Sequence, residues 1–81
     1  MSLHIVPEDV TEGTVKVTLM ELDAAFKSGE NTKLVAPARI AWLAAGLRLG
    51  IPVLTLERQS GVSRQTIRRI NPQTGEVAWD R

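Results

Sequence analysis

Apolar residues recur along this chain with two different periods, and the switch between them marks out its elements. Thr14 to Leu19 alternates, with Val15, Val17 and Leu19 set against Thr14, Lys16 and Thr18, which predicts a short half-buried strand. From Thr18 the spacing becomes Leu19, Leu22, Ala25 and Phe26, which is helical; Thr18 and Glu21 stand at capping-box separation and Gly29 is a natural stop. Strand and helix compete for residues 18–20. Residues 1–13, with Pro7, an acidic pair and Gly13, read as an irregular leader, and residues 29–33 as a polar loop.

Residues 36–49 are the most apolar part of the chain. Pro37 suits the first turn of a helix that runs rich in alanine and leucine from Ala38 until Gly50 and Pro52 close it. Its only charges, Arg39 and Arg48, are nine residues apart and so fall on opposite sides at about 100° per residue, leaving no continuous polar face. Such a helix must be covered nearly all round. The expected cover is the following helices on one side and the N-terminal segment or a second subunit on the other. Trp42 is the natural large residue of that second contact, to a dimer mate or another partner, or else a core tryptophan within one subunit.

The stretch from Gly50 to Asn71 parses as two short helices around a tight turn. Pro52 can occupy the first helical position, Leu56 faces inward, and Gly61 falls where a left-handed residue would end the helix. Ser63 caps the next helix, over 63–70, by accepting from an amide near Gln65 or Thr66, while Val62 packs on Leu56 and Ile67. On a helical wheel Arg64, Gln65, Arg68 and Arg69 share an arc of about 140°, opposite Ile67 and Ile70. Every side chain on that arc can donate to a base edge or a phosphate, and a major groove admits one helix. Asn71-Pro72 and Thr74-Gly75 then predict turns, followed by a short strand from Glu76 to Trp79. Trp79 needs a covering surface, so this tail is expected to pair with Thr14 to Leu19 or with its counterpart in a second subunit, unless it frays.

Eighty-one residues leave room for one domain: an acidic strand and helix segment over 1–35, a helix-turn-helix core over 36–71 and a tail over 72–81. The fold class expected is mostly α, three to four helices with short flanking β-strands. The net charge of +1 conceals a division. Residues 1–35 set three lysines against six acids, a balance of −3, whereas residues 36–81 set seven arginines against three acids, a balance of +4. Four of those arginines lie between Arg58 and Arg69 with no acid among them, which suggests a polyanionic partner or else a solvated basic face.

Composition also narrows the chemistry. There is no cysteine and only one histidine, His4, placed in the leader as a solvated terminal residue, so neither a metal centre nor a disulfide framework is expected. No phosphate-binding glycine loop or catalytic constellation occurs, so an enzyme and cofactors are not expected either. No apolar run approaches the ~20 residues of a membrane span and no signal peptide is visible, so the expected compartment is the cytoplasm, without membrane contact.

Leu56, Gly61, Val62, Ser63, Thr66, Ile67 and Ile70 match the spaced pattern of bacterial and phage helix-turn-helix regulators, and G-V-S-R-Q-T-I-R-R resembles the recognition helix of the lactose-repressor family. Gly50 and Pro52 ahead of it are similar to the DNA-binding domains of Hin-type invertases and resolvases. The likeness covers residues 36–71. It implies that Arg64, Gln65 and Arg69 read bases and that Ser63, Thr66 and Arg68 contact phosphates. One residue departs from the pattern: Glu57 stands where the family usually has alanine, and must turn outward or meet an arginine such as Arg58 or Arg69.

The function this implies is sequence-specific binding of double-stranded DNA by a small repressor-like transcriptional regulator. A single helix reads few base pairs, so a homodimer on an inverted repeat is expected, with no small-molecule effector. Two other readings remain: an excisionase-like accessory protein of recombination, and a protein-interaction module such as an antitoxin.

Overall fold

The computed structural model describes residue 6, residues 8–29 and residues 32–78. Among them the chain is mostly helical, in the order α1 (Glu12–Lys27), α2 (Thr32–Arg48), α3 (Val53–Ser60) and α4 (Arg64–Arg68). The strand expected over Thr14 to Leu19 is instead the first half of α1. Six residues fit either period, but the helical one continues: Val15, Leu19 and Leu22 are buried on one face, while Val17, inward in the strand pattern, is 55% exposed. The start moves accordingly. Thr11, not Thr18, caps the helix, its side chain accepting from the Thr14 amide at 3.3 Å.

α1 supplies the cover that α2 requires. Val35, Ala38, Trp42, Leu43, Ala44 and Ala45 of α2 are all buried, in a core shared with Val15, Leu19 and Leu22 of α1, Leu56 of α3 and Ile67 of α4. Trp42, 6% exposed, is a core residue of the single chain, the second of the two places expected for it. The helices meet at Gly46, where an added Cβ would lie 2.6 Å from Leu56 Cδ2 and 3.4 Å from Val15 Cγ1. Nothing in the local pattern around Gly46 signals that contact. α2 begins earlier than expected, so Pro37 lies inside it, one turn beyond the place where a missing N–H is free of consequence.

The C-terminal strand is also absent as such. Val77 makes one isolated antiparallel bridge with Ile70, and the Asn71 amide donates to Glu76 O at 2.7 Å and the Ala78 amide to Arg69 O at 2.9 Å, closing a small hairpin. The segment pairs with the end of α4 in its own chain because Asn71 and Pro72 turn it back at once, with Gly75 N donating to Asn71 O. It does not reach residues 14–19. Arg48 braces the turn by donating to the Pro72 carbonyl at 2.6 Å. His4 and Trp79 lie outside the described residues. No helix among the described residues is long and apolar enough to cross a membrane.

Candidate nucleic-acid interface

α3 and α4 are joined by Gly61, Val62 and Ser63. Pro52 occupies the position before α3, one earlier than the spacing predicts, and its carbonyl accepts from Leu56 N. Gly61 ends α3 with φ +72°, its amide donating to Glu57 O at 2.9 Å. The buried Ser60 hydroxyl then ties the turn together, donating to Leu56 O at 2.7 Å and accepting from Val62 N at 3.1 Å. Ser63 caps α4 as expected, accepting from Thr66 N at 3.4 Å.

α4 is shorter than the expected helix over 63–70. Its last turn tightens, with Arg69 N donating to Thr66 O and Ile70 N to Ile67 O, because Ile70 must leave the helix to bridge Val77. The expected division of faces holds for most of these residues: Ile67 and Ile70 are buried, while Ser63, Arg64, Gln65 and Arg68 are exposed. Thr66 and Arg69 are half-buried. The two hydroxyls differ in what they can still do. Ser63 Oγ donates its proton to Thr66 Oγ1 at 3.1 Å, so Thr66 keeps a proton for an outward acceptor and Ser63 does not.

The fold also brings an acid to this face. Glu57 meets Arg64, not Arg58 or Arg69: its Oε2 accepts from the Arg64 amide at 2.9 Å and its Oε1 lies 3.8 Å from Arg64 Nε. The carboxylate thus hydrogen-bonds the Arg64 backbone and stands beside its guanidinium at ion-pair, not hydrogen-bond, distance. Glu57→Gln keeps an acceptor for the amide, whereas Glu57→Ala removes it. Thermal melts should therefore show the alanine variant losing about 1 kcal/mol and the glutamine variant less than half of that. Equal losses would place the effect in the charge pair.

Behind the turn lies a cluster that sequence reasoning missed. Arg39 is buried, donates from Nη2 to the Ser60 carbonyl, lies 3.7 Å from Asp23 Oδ1 and sits over the Phe26 ring, 4.4 Å from its centroid. Burial pushes its pKa below the ordinary arginine value, and the Asp23 charge acts against that shift. Asp23 also pairs with Lys27 at 3.0 Å, so it stands between two cations. The one available signal was a charge inside an otherwise apolar helix.

No family model, curated protein or solved structure matches this chain. Among the described residues no group of three or more His, Asp or Glu is placed to hold a metal ion. What the face offers chemically is a set of exposed donors on a helix fastened from behind, with Glu57 as the neighbouring acid.

Proposed function

We propose that this chain is a sequence-specific double-stranded DNA-binding protein, a repressor-like transcriptional regulator whose α3, turn and α4 act as a helix-turn-helix. One observation carries the reading: Ile67 and Ile70 anchor α4 while Arg64, Gln65 and Arg68 project from its other side. A recognition helix needs that division, since anchoring residues fix its angle to the core and donors reach into the groove. Arg64 and Gln65 are assigned to base edges, and Arg68 and Thr66 to phosphates. Two copies on an inverted repeat would supply the length of site that one short helix lacks.

Selection of bound duplexes from a random pool tests this. A recovered site with two-fold symmetry and affinity that falls steeply with salt is the expected result. Gln65→Ala should then lose ~1–3 kcal/mol of discrimination at one base position, while Arg68→Ala weakens all sequences alike. Failure to retain any duplex at low salt would end the proposal.

A further inference from the structure

α1 carries a second apolar stripe on the side away from the core. Gly13, Val17, Met20 and Ala24 are all exposed, Val17 at 55% and Met20 at 53%. Their separations of four, three and four residues bring them within an arc of about 60°, roughly opposite the buried Val15, Leu19 and Leu22. Alternating fours and threes is the spacing of a seam between two packed helices. A shallow depression lined by Thr11, Gly13, Thr14, Val17 and Thr18 borders the stripe at Val17.

The charges next to the stripe say what that outside helix is. Lys16 lies about 70° to one side of the stripe and Glu21 about 70° to the other, both exposed and neither in an ion pair among the described residues. Opposite charges five residues apart on opposite flanks are what two identical parallel helices exchange across a seam: Lys16 of each copy faces Glu21 of the other. An antiparallel pair would set like flank against like. A partner of one charge sign would match only one flank.

We propose that α1 is a self-association surface, on which two copies of this chain pack their α1 helices in parallel about a two-fold axis, with Val17 and Met20 in the seam and a Lys16–Glu21 pair on each flank. Symmetry then puts both copies of α4 at the same height along the axis. This deepens the paired reading proposed above but draws on α1 alone, so the two can fail separately.

The seam is short and the dimer correspondingly weak. Sedimentation equilibrium of the full chain from about 5 to 500 µM should show reversible monomer–dimer exchange by mass action. Val17→Asn with Met20→Gln should be monomeric throughout while keeping its melting temperature at low concentration, because both side chains are exposed. Lys16→Glu sets like charges against each other twice and should weaken the dimer about tenfold. Adding Glu21→Lys should restore it, which a merely structural role of either residue would not do. A wild-type chain that stays monomeric at the highest concentration, or a charge exchange as weak as Lys16→Glu alone, would overturn the proposal. A dimer that binds no duplex would remove the DNA reading and leave this one standing; a monomer that binds duplex would do the reverse.

Discussion

Gly61→Ala is expected to lower the melting temperature by at least twice as much as Gly50→Ala. Both glycines have positive φ, +72° and +81°, so alanine at either site carries the steric cost of left-handed backbone, about 1–2 kcal/mol. At Gly50 that is the whole cost, since an added Cβ meets nothing within 4 Å. At Gly61 the same atom would stand 2.5 Å from Asp23 Oδ1 and 3.5 Å from Arg39 Nη2. The carboxylate has to move, and it is held at 3.0 Å by Lys27 and faces Arg39. The combined loss should be about 3 kcal/mol, a large part of the stability of a domain this small. Asp23→Ala made in the Gly61→Ala background should return part of it by clearing the space. Equal melting temperatures for Gly50→Ala and Gly61→Ala would show that the approach of α1 to the turn contributes nothing.

Arg39→Ala should cost a further measurable amount, about 2–4 kcal/mol in chemical denaturation. Its guanidinium satisfies the Ser60 carbonyl at the end of α3 and sits beside Asp23, and removing it leaves a buried acceptor without its donor. Breaking a buried pair usually costs more, ~3–5 kcal/mol, but Asp23 keeps Lys27, so the expected loss is smaller. Arg39→Lys should recover little, because an ammonium cannot bridge two acceptors and lie flat on the Phe26 ring together. A double-mutant cycle with Asp23→Asn separates the terms: coupling near zero would assign the effect to the Ser60 carbonyl alone. Full stability in Arg39→Ala would mean that the turn between α3 and α4 holds itself.

The turn itself was the easiest part to read ahead. Gly61 and Ser63 act on their immediate neighbours, one by accepting positive φ and the other by bonding an amide three residues on, so their identity and spacing suffice. The same holds for Ile67, whose place on the wheel follows from helical periodicity once Ser63 caps the helix, while Ile70 is buried beyond the end of α4, where it bridges Val77. The strand over 14–19 failed for the complementary reason. A strand is stabilised by a neighbour, and the six residues fit two periods equally, so the choice rested on Leu22 continuing the helical one and on what lay opposite.

Charge was legible as a total and opaque as an arrangement. Four arginines without an acid between residues 58 and 69 mark a basic face, yet Glu57, just outside that window, folds back onto Arg64 through the turn. Asp23 and Arg39 are sixteen residues apart on different helices, and both lean on Gly61, more than twenty positions further along. The glycine stop and serine cap of the turn come from interactions spanning a few residues, and a linear pattern contains them, whereas the start of α1, the start of α2 and the end of α4 were not legible in that pattern. Which acid meets which arginine, why the turn glycine has no room to grow, and that Trp42 is sealed within one chain depend on how α1 packs against α2 and α3, because those contacts exist only after distant segments have been brought side by side.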